Sequence, residues 1–261
     1  MKKTPIFELP RALPEFLRAM LGGAPLYDSS CSPEAQVIFV DKNGGLYLKI
    51  ADGGTLAKEA EMTAYFHNKR LAPEVLEYVS NDRDFLLTRA ARGEDLTHEI
   101  YLSDPKRLCD TLASTLRALH EMPFSDAPVQ DRMTEYLALA DKNYKAGKFD
   151  AALFGEGMGF ENADEAYAVL NDGRTSLKSN TLIHGDYCLP NVMFENWEFS
   201  AFIDLGNGGV GDRHVDLFWG AWTLFYNLKT NKYRERFLDA YGKDLVDEGT
   251  LRTIAACEVF G

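Results

Sequence analysis

The sequence predicts an α+β protein in which a β-rich first third is followed by a mostly helical remainder. Three observations carry this. Val37-Ile38-Phe39-Val40 and Leu46-Tyr47-Leu48-Lys49-Ile50 are short apolar runs on either side of Asp41-Lys42-Asn43-Gly44-Gly45, which is hairpin turn chemistry. Beyond Gly93, Leu108, Leu112, Leu116 and Leu119 fall on one helical stripe between Asp104-Pro105 and Met122-Pro123. Between residues 182 and 206, two polar clusters are flanked by apolar residues, as in short buried strands that deliver polar side chains to one point.

The remaining elements follow in order. Residues 4–22 place Leu13, Phe16, Leu17 and Met20 at helical spacing before Gly22-Gly23, which predicts an N-terminal amphipathic helix. Asp28-Ser29-Ser30-Cys31-Ser32-Pro33 is turn chemistry ahead of the first hairpin. Strand character returns at Leu71-Ala72-Pro73-Glu74-Val75-Leu76 and again at Asp84-Phe85-Leu86-Leu87-Thr88. Arg89-Ala90-Ala91-Arg92-Gly93-Glu94 reads as a connection between two lobes, 1–90 and 91–261. Later helices are predicted over 131–146, 162–171, 215–228, 233–241 and 250–260, with a Gly-rich stretch at 154–160. His120 closes the leucine-striped helix, where partial positive charge is favourable against the last carbonyls, and is read as structural. Asp212 and Asp216 are read as loop and helix-cap anchors, with Asp212-Arg213 as a candidate ion pair.

Composition bounds the function. With 46% apolar and 26% charged residues, the 261-residue chain has the make-up of a globular protein large enough for a substantial core. No apolar run approaches the ~20 residues of a membrane span, and no signal-peptide apolar region follows Lys2-Lys3, so a cytoplasmic protein is expected. The net charge of −12, with no basic cluster, argues against nucleic acid as a partner. Cys31, Cys109, Cys188 and Cys257 are widely spread and form no C-x-x-C pair, so neither a zinc site nor a disulfide framework is indicated.

The chemistry lies in Leu182-Ile183-His184-Gly185-Asp186-Tyr187-Cys188-Leu189-Pro190-Asn191 and Ile203-Asp204-Leu205-Gly206. Asp186 and Asn191 stand in the Asp-x-x-x-x-Asn spacing of a kinase catalytic loop. Phosphoryl transfer needs a carboxylate to orient and deprotonate the attacking hydroxyl, and Mg²⁺ to neutralise the phosphate oxygens. Mg²⁺ takes hard oxygen ligands. Asp186 is therefore the candidate base, and Asn191 and Asp204 are the candidate metal ligands. His184 is read as holding the loop, and Cys188 as a small buried apolar residue. Lys49 in a strand and a glutamate in the helical segment 58–66 match the kinase pattern of a phosphate-clamping lysine paired with a helix carboxylate.

His184-Gly-Asp186-x4-Asn191 followed by Ile203-Asp204-Leu-Gly resembles the aminoglycoside phosphotransferases, most closely the 3′-phosphotransferase (kanamycin kinase) branch. Asp204-Leu-Gly-Asn-Gly-Gly-Val-Gly-Asp212-Arg213-His-Val-Asp216-Leu217 is similar to that branch without a gap. The resemblance runs from about residue 32 to the end of the sequence. It implies a two-lobed, protein-kinase-like fold, with an antiparallel-sheet nucleotide-binding lobe (1–90) and a mostly helical catalytic and substrate-binding lobe (91–261). It implies ATP as donor, with GTP as the alternative, and Mg²⁺ as cofactor. It places the ATP-binding lysine at Lys49, its partner at Glu59 (with Glu61 as alternative), a phosphate contact at Ser32, and main-chain adenine contacts at Arg89 and Ala91. The family binds its polycationic sugar through an acidic segment before the catalytic loop and through an Asp-Glu-x-Phe ending. Here only Glu156 keeps its charge in the first, and Cys257-Glu258-Val259-Phe260 stands for the second, leaving Glu156, Glu258 and Phe260 as the acceptor-site candidates.

The leading reading is thus an ATP-dependent kinase of an aminoglycoside (aminocyclitol) hydroxyl, the 3′-hydroxyl by family resemblance, working as a monomer or weak dimer. A kinase of the same fold acting on another small hydroxylated metabolite or antibiotic is the alternative. The intact Asp186, Asn191, Asp204 and Lys49 argue against a silent nucleotide-binding module. A protein kinase is disfavoured because an Ala-Pro-Glu signature and a long segment after Asp204 are absent.

Overall fold

The computed structural model describes residues 3–153 and 159–261. In chain order the strands and helices begin β1 (Thr4–Ile6), α1 (Glu15–Leu21), β2 (Leu26–Asp28), β3 (Gln36–Val40), β4 (Leu46–Asp52), α2 (Ala57–Asn68), β5 (Val75–Ser80), β6 (Arg83–Arg89) and β7 (Glu94–Asp95). They continue with α3 (Glu99–Leu102), α4 (Pro105–His120), α5 (Arg132–Lys145), α6 (Ala163–Gly173), β8 (Thr181–Ile183), β9 (Val192–Glu195), β10 (Glu198–Phe202), β11 (Gly209–Gly211), α7 (Arg213–Leu228), α8 (Arg234–Gly242) and α9 (Glu248–Glu258). The chain divides into two compact units, one of 1–95 with 190–206 and one of 96–189 with 207–261.

The first unit is built on a six-stranded antiparallel sheet in the order β1-β2-β3-β4-β6-β5. Side chains alternate across a strand. On β4, Leu46, Leu48 and Ile50 therefore join Ile38, Val40 and Leu87 in a core closed by Leu17 and Leu21 of α1. Tyr47 and Lys49 point to the opposite face. α2 covers part of that face, packing Ala60 with Ala51 and Leu86. Asp84 on β6 is fully buried and accepts the Gly54 and Leu56 amides and the Tyr78 hydroxyl, which fixes the approach to α2.

Two expectations are corrected here. Residues 4–22 are not one helix: Thr4–Ile6 form an edge strand paired with β2, and the helix starts only at Glu15. Pro5, Pro10 and Pro14 lack the amide a continuous helix requires. The first unit runs to residue 95 rather than 90, and residues 190–206 group with it rather than with the helical remainder. The reason is β-pairing, because β9 is hydrogen-bonded to both β7 and β10.

The second unit is mostly helical. Asp104 accepts from the Arg107 amide and Pro105 opens α4, so the start is capped as its sequence suggests. Leu108, Leu112, Leu116 and Leu119 are all buried, and full burial of a leucine contributes about 1.5–3 kcal/mol. Asp131, Asn162, Asp212 and Asp247 cap α5, α6, α7 and α9 in the same manner. A short ladder of β8 with β11 holds Thr181–Ile183 next to the loop that follows. Among the described residues no helix is long and apolar enough to cross a membrane.

Candidate active site

The site residues of the first unit converge on Lys49. Its ammonium donates to Glu59 Oε2 at 2.7 Å and to Asp204 Oδ1 at 2.8 Å. The partner is Glu59 rather than Glu61 because the first turn of α2 aims Glu59 at the sheet, where it is buried, and leaves Glu61 exposed. Burial disfavours the Lys49 ammonium, but the Asp204 and Glu59 carboxylates more than offset this, and its pKa stands above the ordinary lysine value. Burial likewise lifts the Glu59 carboxyl, against the pull of Lys49. One half-buried cation thus faces two carboxylates.

Asp204 has φ 60°, in the left-handed region that aspartate tolerates better than most side chains. Its side chain is about half exposed, at 49%. The amide of the preceding Ile203 donates to the Asn191 carbonyl at 3.0 Å, so the end of β10 runs beside the turn that carries Asn191. Adjacent segments thus carry a carboxylate and an amide oxygen, both hard donors. Among the described residues no three His, Cys, Asp or Glu side chains are grouped to hold an ion by themselves. Mg²⁺ in phosphoryl-transfer sites is usually held by one or two side chains together with substrate phosphates, and Asn191 with Asp204 fit that description.

The nucleotide-loop and connection candidates lie at the ends of strands of this sheet. Ser32 is exposed in the loop between β2 and β3, and its hydroxyl hydrogen-bonds the Glu34 carboxylate, holding that carboxyl below its ordinary range. The Arg89 guanidinium pairs with Glu74 at 2.6 Å, and the Arg89 amide donates to the Glu74 carbonyl at 3.0 Å. Ala91 follows two residues later, half-buried.

The second unit holds Asp186. The loop before it is clamped: Asp216 Oδ2 accepts the His184 amide and Asp216 Oδ1 the Gly185 amide, both at 2.7 Å. His184 Nδ1 accepts the Asp186 amide at 3.2 Å, which is the loop-holding role expected of it. Gly185 sits at φ +83°, and a Cβ there would run into the Asn207 carbonyl, so the tight approach to Asp186 demands glycine. Asp216 thus anchors this loop from within α7 rather than capping its own helix. His120 also reaches it, Nε2 to Oδ2 at 3.0 Å, while His120 Nδ1 meets the Tyr241 hydroxyl at 2.8 Å. Burial pushes the His120 pKa down against the pull of Asp216, and its two ring contacts tie the end of α4 into the buried network behind this loop. Asp212 pairs with His214 Nδ1 at 2.7 Å and with the Lys178 amide, not with Arg213, because the cap geometry turns its carboxylate inward.

Asp186 opens on a cavity of about 270 Å³ lined also by Arg132, Tyr136, Asn207, Trp219 and Glu258. Glu258 Oε1 receives the Tyr136 hydroxyl at 2.6 Å and Trp219 Nε1 at 2.9 Å. Burial pushes the Glu258 carboxyl up to about 7 in spite of those two donors. Arg132 donates to both oxygens of Asn207 and to Glu135, which fixes a cation in the same cavity. Phe260, a candidate acceptor contact, is 1% exposed and packs edge-on against Tyr144 and Tyr167. Its ring is therefore core, buried by the aromatic stack of α5 on α6, and it is not among the residues that line the Asp186 cavity. Glu156 lies outside the described residues. The roles of Arg132, Tyr136, Asn207 and Trp219 had no signature in the sequence beyond Arg132 and Tyr136 being one helical turn apart.

Comparison with known proteins agrees with this geometry. A model of the phosphotransferase enzyme family matches residues 32–254. The chain is 49% identical over 249 residues, covering 95% of both chains, to the probable aminoglycoside 3′-phosphotransferase of Lactococcus lactis subsp. lactis. It is 30% identical over 210 residues to the aminoglycoside 3′-phosphotransferase of Niallia circulans, covering 79% of this chain and 80% of that one. Among solved structures, an aminoglycoside-3′-phosphotransferase of type VIII superposes with a TM-score of 0.77 at 21% identity, covering 95% of this chain and 97% of that chain. An α+β, protein-kinase-like architecture, a Lys49–Glu59–Asp204 network and an anchored His184-Gly185-Asp186 loop thus coincide with similarity along nearly the whole chain, which belongs to the phosphotransferase enzyme family, among its aminoglycoside phosphotransferases.

Proposed function

We propose that this protein transfers the γ-phosphoryl group of ATP to a hydroxyl of an aminoglycoside, the 3′-hydroxyl named for its relatives, and so confers resistance. The observation that carries this reading is the cavity in which Asp186 and the buried Glu258 carboxylate lie together. Asp186 takes the proton of the acceptor hydroxyl as its oxygen bonds to the γ-phosphorus and the bond to ADP breaks. Lys49, held by Glu59, binds the nucleotide phosphates. Ser32 adds a phosphate contact, and the main chain at Arg89 and Ala91 receives the adenine edge. Because the Arg89 amide is engaged by Glu74, its carbonyl is the group offered there. Asn191 and Asp204 hold Mg²⁺, which when bound neutralises charge on the phosphate oxygens. Glu258 receives an ammonium of the acceptor, and Glu156 is assigned the same task. GTP is the alternative donor. We place the protein in the cytoplasm, where ATP is available, as a monomer or weak dimer.

The test is ADP release with kanamycin as acceptor, in wild type and Asp186→Ala. Loss of the base should lower kcat by about 10²–10⁴-fold while ATP affinity is retained. Near-native turnover in the variant would remove Asp186 from this role. Turnover of an uncharged alcohol in place of any aminoglycoside would replace the acceptor assignment.

A further inference from the structure

The aromatic surface of α7 continues beyond the cavity wall at Trp219. Val215 and Trp219, which line it, are one turn apart on α7, and the same stripe continues with Trp222 and Tyr226. The rings form a ladder. Trp219 meets Trp222 edge-on at 5.4 Å, and Trp222 stacks on Tyr226 at 5.0 Å with 13° between the planes. Exposure rises along it, and Tyr226 is 54% exposed with Phe225 beside it at 41%. At the α-helical rise, Trp219 to Tyr226 spans about 10 Å, the length of one to two sugar rings. Tyr226 already carries a cation: Lys229 Nζ lies 4.1 Å from the centroid of its ring. The near end of this half-open aromatic surface is joined to the acceptor cavity through the Trp219–Glu258 hydrogen bond.

We propose that Trp222 and Tyr226 form an aromatic extension of the acceptor site, which receives the amino-sugar ring of the acceptor farthest from the phosphorylated hydroxyl. The inference rests on the aminoglycoside reading above. Aromatic rings suit such a ring on two counts. Its C–H faces lie flat on an apolar surface, and its ammonium groups interact with the negative face of the rings. The Lys229 ammonium occupies one such position in the absence of acceptor. Glu258 supplies charge at the cavity end, and the ladder supplies a face for a cation without another carboxylate.

The test compares kanamycin B with neamine, which is the same molecule without its third ring. Tyr226→Ser and Trp222→Leu should raise the KM for kanamycin B about three- to tenfold, while the KM values for neamine and ATP and the kcat stay near wild type. Tyr226→Phe should restore the wild-type KM. Lys229→Asn, which keeps a side chain tolerant of the left-handed cap at φ 54°, should lower the KM for kanamycin B, a change of sign that a damaged fold does not produce. Equal KM values for kanamycin B in wild type and both ring variants, or equal increases for kanamycin B and neamine, would overturn the subsite. Wild-type protein that phosphorylates neither compound would overturn the functional reading and the subsite together, so the two failures are told apart by the wild type alone.

Discussion

Glu258 holds the most informative perturbation. Its carboxyl is buried, with a pKa raised from the ordinary 4.5 to about 7. Between those two values the folded protein keeps a proton that the unfolded chain has released. Stability therefore falls as pH rises through that window, and the loss is complete above the folded value. At roughly 1.4 kcal/mol per pH unit, the full effect is on the order of 3 kcal/mol. Glu258→Gln removes the titration and keeps an oxygen to accept from Tyr136 and Trp219. The variant should match wild type near about pH 4.5 and exceed it by about 3 kcal/mol at about pH 8, a rise of roughly 6–10 °C in Tm for a chain of this size. The same change removes the carboxylate that an acceptor ammonium needs, and a charge-assisted hydrogen bond contributes roughly 1.5–3 kcal/mol. At about pH 8 the KM for kanamycin should rise about tenfold or more. In wild type that KM should fall as pH rises through about 7, and in the variant the step should disappear. Both proteins meet the same titration of the acceptor's own amines, so the difference belongs to Glu258. Thermal denaturation and steady-state kinetics over about pH 5–8 read both effects. A Gln variant no more stable than wild type at the alkaline end, or an unchanged pH profile of KM, would refute the reasoning.

Other outcomes follow from the same geometry. Lys49→Ala and Glu59→Ala should each impair ATP use, with the double variant little worse than either single one, since the 2.7 Å contact makes them one unit; full additivity in kcat/KM for ATP would dissolve the pair. Asp216→Asn should destabilise the fold by about 2–4 kcal/mol in chemical denaturation, because both carboxylate oxygens accept buried amides and an NH₂ group must oppose one of them; an unchanged midpoint would show that the loop does not depend on this clamp. Asp204→Ala should weaken the Mg²⁺ dependence of turnover more than Asn191→Ala does, since a carboxylate brings charge where an amide brings only a dipole; wild-type metal titration by the Asp204 variant would take Asp204 out of the ligand set.

What the sequence determined by itself was whatever depends on near neighbours. Strand alternation around Lys49, the leucine stripe of α4 and the Asp-Pro start of that helix are short-range patterns, and they appear in the structure where the residues place them. The Asp186, Asn191 and Asp204 pattern is of the same short-range kind, since each lies within a short segment whose flanks set its local geometry. Where prolines interrupted an apparently helical spacing, as at Pro5, Pro10 and Pro14, the spacing misled because a missing amide outweighs periodicity. Only the tertiary structure decided what depends on segments far apart in the chain. It made Glu59 rather than Glu61 the partner of Lys49, because which face of α2 is buried is settled by packing on the sheet. It turned Asp216 into the clamp of a loop more than thirty residues earlier, and it drew Phe260 into the core and set Glu258 between Tyr136 and Trp219. Burial and hydrogen-bond partners are properties of neighbours in space, and no local pattern of residues carries them.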